Sequence, residues 1–318
     1  MQNERLIVIG ASAGGIPALS RLVSFFPADF KGIILIVLHL SPSYKSRLSA
    51  ILQRHTFLSV RTPKKYEEIV AGHIYIAPPN VHMCLSDGKI MLRHGPKINN
   101  TRPAIDALFY SAALSHGPLV IGIILSGLLD DGSAGLLAIK KCQGVTIVQE
   151  PEEADFPGMP NNALKTGSVD YRLPVDKMYP IIQKIMDSKP PENIKTEFWD
   201  ALEIESQLNY TENLLGGELL KKISTPSQFS CPECAGVLWK VHDDSMIRYR
   251  CRVGHAFGKA GLINYKNDVI EEFLWKALRG LEEKEVLLKS EQNGDTEKEL
   301  NQIKKNKEYL KRILLTIT

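Results

Sequence analysis

Little in this chain pulls toward an extreme. Its five cysteines are too few, and odd in number, for a disulfide framework; three of them fall late at metal-ligand spacing, which points to a reducing cytosol. Charge of one sign is missing too. The 39 Lys+Arg against 36 Asp+Glu leave a formal +3, too little to argue for nucleic-acid binding. The longest apolar run, around Ile33 to Leu40, falls far short of the ~20 residues that span a bilayer. No basic-then-apolar leader opens the chain, so no export signal is expected and the protein is placed in the cytoplasm. Two nucleotide fingerprints are absent as well. Ser12 stands where G-x-G-x-x-G requires its second glycine, and there is no Walker lysine, which counts against a nucleotide-binding module. What remains is an ordinary globular composition, 44% hydrophobic and 24% charged, on 318 residues, enough for one large domain and something smaller.

The most informative stretch lies near the start. Leu6-Ile7-Val8-Ile9 reads as a short buried strand, and Gly10-Ala11-Ser12-Ala13-Gly14 then follows as G-x-S-x-G. Ile16, Leu19, Leu22 and Val23 continue at helical spacing. Strand, tight glycine turn and helix are the context of a nucleophile elbow, in which the serine hydroxyl stands clear of the sheet. A phosphate-cradling loop or a plain strand-to-helix turn is the alternative at this point.

Strand-like runs then alternate with helical patterns. Gly32 to Leu38 is apolar throughout and runs straight into His39; Leu119 to Ser126 is another such run, ending at Gly127-Leu128-Leu129-Asp130-Asp131-Gly132. Met83 to Ser86 and Ile90 to Leu92 read as a hairpin turned at Asp87-Gly88. The alternation predicts a doubly wound α/β fold, its sheet mostly parallel with helices on both faces. In such sheets ligands bind beyond the carboxyl ends of the strands. Ser12, His39 and Asp131 each sit just past such an end, so they can converge as nucleophile, general base and orienting acid. Amides at Ala13 and in the Gly127-Leu128 turn are candidates for an oxyanion hole. Asp130 competes with Asp131, while His82 and His94 are fallback bases. Replacing any of the three is expected to abolish turnover with little loss of fold.

The residues also carry a resemblance. Gly10-Ala11-Ser12 with Gly14-Gly15, the strand ending at His39 with Ser41-Pro42 after it, and Tyr75-Ile76-Ala77-Pro78-Pro79 through His82 resemble the chemotaxis protein-glutamate methylesterases, the CheB family. Arg102-Pro103 with Asp106 and Leu108-Phe109, Asp131-Gly132 with Ala134-Gly135, and Phe156 with Gly158-Met159-Pro160 continue it over roughly residues 4 to 188. The resemblance implies a hydrolase acting on γ-glutamyl methyl esters of chemoreceptors, with Ser12, His39 and Asp131 at the triad positions and no catalytic cofactor. Deamidation of glutamine would use the same acyl-enzyme. Methylated chemoreceptors or related signalling proteins are the implied partners, with a methyltransferase or a separate response regulator as further ones; membranes are met only through receptors. Ala13 departs from the threonine common after the nucleophile, and Leu129-Asp130 from a smaller pair. The receiver domain that precedes the esterase in the best-known members is not expected here, because the first strand begins within a few residues of Met1.

The chain is expected to divide into the α/β domain at 1–188, a linker and ambiguous segment at 189–225, a zinc ribbon at 226–258 and a helical hairpin at 259–318. Cys231-Pro232-Glu233-Cys234 and Cys251-Arg252-Val253-Gly254-His255 give C-x2-C followed by C-x3-H, the ligand pattern of a structural zinc. The mixed charge between the pairs favours bracing or protein docking over nucleic acid. The hairpin rests on a stripe of Ile270, Phe273, Leu274, Ala277, Leu278 and Leu281 against Leu300, Ile303, Leu310, Ile313 and Leu314, turning at Gln292 to Asp295. Since the α/β domain reads as complete without this tail, it is expected to remain folded and active alone. A catalytically silent scaffold built on the ribbon and hairpin is the competing reading.

Overall fold

Leu6–Ala11 (β1) is buried at every position, as its β-branched run requires of a strand covered on both faces. The structure, a computed structural model, describes residues 4–39, 47–192, 198–209, 216–243, 245–290 and 296–317. Around β1 lie β2 (Ile33–Leu38), β3 (Ser59–Arg61), β5 (His73–Ile76), β8 (Val120–Ile124), β9 (Val145–Gln149) and β10 (Tyr171–Leu173). They form one parallel seven-stranded sheet in the order β10-β9-β8-β1-β2-β5-β3. The chain leaves β1 toward β2 on one side and later returns to β8 on the other. That reversal opens a crevice at the carboxyl ends of β8, β1 and β2.

Alternate residues of β1 serve two cores. Ile7 and Ile9 pack with Leu19 and Leu22 of α1 (Gly15–Ser24), Leu52 of α2 (Leu48–Gln53) and Ile182 of α6 (Val175–Asp187). Leu6 and Val8 pack with Leu108 of α3 (Ile105–His116), Leu136 of α4 (Ser133–Lys141) and Met159 of α5 (Gly158–Leu164). Helices on both faces of a parallel sheet make this the doubly wound α/β architecture that the alternation predicts. A small sheet flanks it: β4 (Glu67–Glu68), β7 (Lys89–Arg93) and β6 (His82–Ser86), with β6 and β7 paired antiparallel. The hairpin turns at Asp87 and Gly88, both at positive φ (50° and 71°), as a two-residue hairpin turn demands.

Beyond α7 (Trp199–Leu208) and α8 (Gly216–Ile223), four antiparallel strands make the cysteine-bearing module: β11 (Ser224–Ser230), β12 (Val237–Val241), β13 (Arg248–Cys251) and β14 (Ala256–Gly258). This module is not a loose appendage. Ile98 bridges to Ala256, and both share a small core with Ala104, the N-cap of α3, and Ala107 within it. Glu205 of α7 pairs with Arg248 (2.7 Å) and Arg250 (3.2 Å) of β13, Glu205 and Arg250 buried and Arg248 partly so, and Arg248 also donates to the Tyr110 hydroxyl at 2.6 Å. Arg250 reaches the Asn209 carboxamide oxygen. Cutting the chain near Lys189 would remove Arg248 from the Tyr110 hydroxyl and the Ala256 contact from α3.

Residues 262–318 form a second compact unit, carried by α9 (Lys259–Ser290) and α10 (Glu297–Ile317). Within it the helices run side by side, joined by Lys284–Glu299 (2.6 Å) and Glu285–Lys307 (2.8 Å). The expected turn at Gln292 to Asp295 lies outside the described residues. The apolar stripe is only half used: Leu278, Ile303 and Leu314 are buried, whereas Ile270 and Phe273 are exposed. No helix among the described residues is long and apolar enough to cross a membrane.

Candidate active site

Ser12 follows β1 directly, and the turn that presents it is held from three sides. Its amide donates to the Ser126 carbonyl (2.9 Å), and its carbonyl accepts the Gly15 amide (2.9 Å). Gly14 lies at φ 68°, where a Cβ would also come within 2.7 Å of Asp155 Cβ and Ser126 Oγ. Glycine is therefore needed there for both backbone and space. The Ser126 hydroxyl donates to the Ala13 carbonyl (2.8 Å) and accepts the Phe156 amide (3.0 Å), tying the elbow to the loop before α5. Ser126 is itself anchored by the Gln149 side chain, which accepts its amide at 2.8 Å.

His39 is the first residue after β2, and its amide donates to the Ala11 carbonyl (3.2 Å). Its imidazole, 14% exposed, places Nδ1 3.2 Å from Ser12 Oγ and Nε2 2.7 Å from Asp131 Oδ2. Ser41-Pro42 lies outside the described residues. Asp131 is 3% exposed and saturated with donors. Oδ2 also accepts the Ile105 amide (2.7 Å), while Oδ1 accepts from Asn99 Nδ2 (3.0 Å) and the Asp106 amide (3.3 Å). Burial pushes the Asp131 carboxyl up, but the His39 hydrogen bond and charge, with the Asn99 and Ile105 donors, hold it below its ordinary value. It is thus kept ionised, the state that fixes one imidazole tautomer and stabilises the imidazolium. The Ile105 and Asp106 amides open α3, whose N-cap Ala104 offers no side-chain acceptor. Asp131 therefore caps that helix from across the fold.

The competing residues go elsewhere. Asp130 accepts the Ala260 and Gly261 amides, and burial raises its carboxyl. His82 is fully buried, with Nε2 on the Pro96 carbonyl (2.9 Å) and Nδ1 accepting the Ala104 amide (3.2 Å). Burial brings its pKa down to about 4, so it is a neutral structural histidine. His94 is exposed on the segment after β7. Of the two amide groups proposed for an oxyanion, the Gly127 N–H is already used on the Phe156 carbonyl (2.9 Å). The Ala13 and Leu128 amides make no hydrogen bond among the described residues. Sequence reasoning quoted Asp106 and Ser126 without a role and passed over Asn99. The signal in the sequence was the pair Asn99-Asn100, a residue type that tolerates left-handed backbone, and both do lie at positive φ.

The second cluster is of another kind. One ligand atom each from Cys231, Cys234, Cys251 and His255 lie within 4.8 Å of one another. Three of the six separations, Cys234 Sγ–Cys251 Sγ (3.7 Å), Cys231 Sγ–His255 Nδ1 (3.7 Å) and Cys251 Sγ–His255 Nδ1 (3.4 Å), are close to the edges of a tetrahedron. Arms of about 2.3 Å, the zinc–thiolate length, give edges of about 3.8 Å. Three soft sulfurs and an imidazole can thus hold a tetrahedral metal.

Comparison with known proteins covers the same α/β region. The CheB methylesterase family model matches residues 7–182. Protein-glutamate methylesterase/protein-glutamine glutaminase 1 of Xanthomonas euvesicatoria is 37% identical over 180 residues, 55% of this chain and 50% of that one. A shorter relative from Leptospira interrogans is 36% identical over 177 residues, 92% of its length. The chain thus spans about half the length of the Xanthomonas relative it matches, and nearly all of the Leptospira one. The crystal structure of the Thermotoga maritima CheB methylesterase catalytic domain aligns with a TM-score of 0.54 and 32% identity, covering 58% of this chain and 98% of that one. By sequence over more than half of its length, and by fold, the chain belongs to the CheB methylesterase family.

Proposed function

We propose that the chain is a serine hydrolase that cleaves γ-glutamyl methyl esters on chemoreceptors or related signalling proteins. The single observation carrying this is the relay of Ser12 Oγ, His39 Nδ1, His39 Nε2 and Asp131 Oδ2, at 3.2 Å and 2.7 Å. His39 takes the Ser12 proton on Nδ1 as Oγ attacks the ester carbonyl. The negative charge of the tetrahedral adduct is met by the Ala13 amide. Collapse expels the methoxy group, which leaves as methanol with the proton from His39, and γ-glutamyl remains esterified to Ser12. Water, deprotonated by the same imidazole, then releases glutamate and restores the serine. The relatives' names join methylesterase and glutaminase. A carboxamide attacked by the same steps would release ammonia, so both activities follow from one acyl-enzyme.

The Cys231, Cys234, Cys251 and His255 cluster supports a structural zinc. All four ligands come from the chain, leaving no position for a substrate water, and the cluster contains no member of the relay. A cytoplasmic place and methylated receptors as partners belong to the same reading. The test is methanol release from a methylated receptor fragment by wild type and Ser12→Ala. Wild type should release methanol with a burst of acyl-enzyme, and Ser12→Ala should fall by about 10^3-fold or more. Near-normal release by Ser12→Ala would remove the serine from its assigned role.

A further inference from the structure

Asn99 is where the cysteine module meets the proposed chemistry. Its backbone is left-handed (φ 49°), and its amide donates to the Ala256 carbonyl of β14 at 2.8 Å. Its side-chain oxygen accepts the Gly258 amide, again from β14, at 3.0 Å. With the oxygen so occupied, Nδ2 must face the other way. It donates to Asp131 Oδ1 (3.0 Å) and to Asp106 Oδ2 (2.9 Å). The reverse flip would set the oxygen against two carboxylates and the NH2 group against a backbone N–H, so the orientation is forced by the partners. One strand, beginning one residue after His255, thus aims the amide that lies between two buried carboxyl groups.

We propose that Asn99 is a positioning residue for Asp131, and that β14 is its clamp, so that the module carrying Cys231, Cys234, Cys251 and His255 supports turnover at the serine. This rests on the relay reading given above. Asp106 and Asp131 approach closely enough that the charge of one weighs on the other: burial first, then Asp131, raise the Asp106 carboxyl well above its usual range. The groups facing the pair are His39, His82, Tyr110, Asp130 and, from the module, Arg248. Asn99 is the neutral donor that both carboxyls share. Without it, Asp131 binds a proton more readily and loses its hold on the imidazole, most severely at low pH.

The experiment compares full-length wild type, Asn99→Gly, Asn99→Asp and Cys234→Ser on a soluble methyl ester. Asn99→Gly keeps the left-handed backbone and removes only the side chain. Its kcat should fall roughly 10- to 100-fold with KM unchanged, the loss expected for a hydrogen bond to a charged group. Its activity relative to wild type should fall further from about pH 8 to about pH 6. Asn99→Asp can donate to Asp131 only when protonated, so its ratio to wild type should instead rise over that interval. Ratios that stay flat with pH in both variants, or a wild-type kcat in Asn99→Gly, would overturn the assignment. Cys234→Ser should lose its zinc, measured as metal per chain, and reproduce the fall in kcat at constant KM. Zinc loss with kcat and pH profile intact would free the clamp from the cluster and overturn that half. Ser12→Ala is run beside them. If it is inactive while Asn99→Gly behaves as wild type, this inference alone fails; if Ser12→Ala is active, the relay reading fails first.

Discussion

Asp131→Asn should cost more than catalysis, and the cost can be worked from its four donors. The carboxylate accepts from His39 Nε2 and the Ile105 amide on one oxygen, and from Asn99 Nδ2 and the Asp106 amide on the other. A carboxamide has one oxygen, so two donors must meet its NH2 group whichever way it turns. Turned with NH2 toward His39, it forces the imidazole into the tautomer that presents Nδ1–H to Ser12, and leaves the buried Ile105 amide unpaired. Turned the other way, it opposes Asn99 and Asp106. One orphaned buried N–H costs about 1–3 kcal/mol, part of it offset by relief of the repulsion with Asp106. A net loss of about 1–2 kcal/mol lowers Tm by roughly 2–8 °C for a domain of this size. Asp131→Ala removes all four acceptors and the cap of α3, and should lose about 2–5 kcal/mol. Thermal unfolding of the full chain followed by circular dichroism, beside ester turnover, measures both effects. Turnover should fall by about 10^3- to 10^4-fold in each variant. Ser12→Ala, whose hydroxyl bonds only to His39 among the described residues, should melt like wild type. If both Asp131 variants also melted like wild type, the capping role would be refuted, and the expectation that all three residues are dispensable to the fold would stand.

Two further outcomes follow, one from a buried histidine and one from the elbow glycine. Folded His82 takes a proton only near pH 4, whereas the unfolded side chain does so near 6.5. Acidification through that window therefore favours the unfolded chain, by up to about 3 kcal/mol across it, with no effect above pH 6.5; urea titrations at both ends should show that slope shrinking in His82→Gln. Gly14→Ala should lower kcat by roughly 10- to 100-fold, because a Cβ displaces Ser126 Oγ or the elbow itself, and a wild-type kcat would show that the turn yields harmlessly.

The legible parts of the fold are those whose signal is local. β1, β2 and β8 are continuous apolar runs, and their ends mark Ser12, His39 and Asp131 because a parallel sheet gathers such ends on one edge. The hairpin at Asp87-Gly88 declares itself by its turn chemistry. β3 and β10 do not, being three-residue edge strands whose exposed or half-buried residues carry no run or alternation. The helical stripe of α9 is over-read at Ile270 and Phe273, since periodicity states which residues could be buried together and not what covers them. The docking of β14 against Asn99 leaves no trace in either segment. It depends on backbone groups more than 150 residues apart, and no residue type announces that its amide will be used at such a distance.

The in-register pairing of the three central strands has one last consequence. Ala11 stands opposite Leu38, and Gly10 opposite both Val37 and Ile124, so the reactive groups hang at fixed rungs of a ladder. A one-residue slip would turn every apolar side chain of a strand to the wrong face, so the rungs cannot drift. Ser12 and His39 each follow their strand by one residue, so the ladder sets their separation, whereas Asp131 lies past β8 and is held by Asn99 and the Ile105 and Asp106 amides. Loops that hold none of these groups can change in length or charge while the distance from serine to imidazole stays as the ladder sets it.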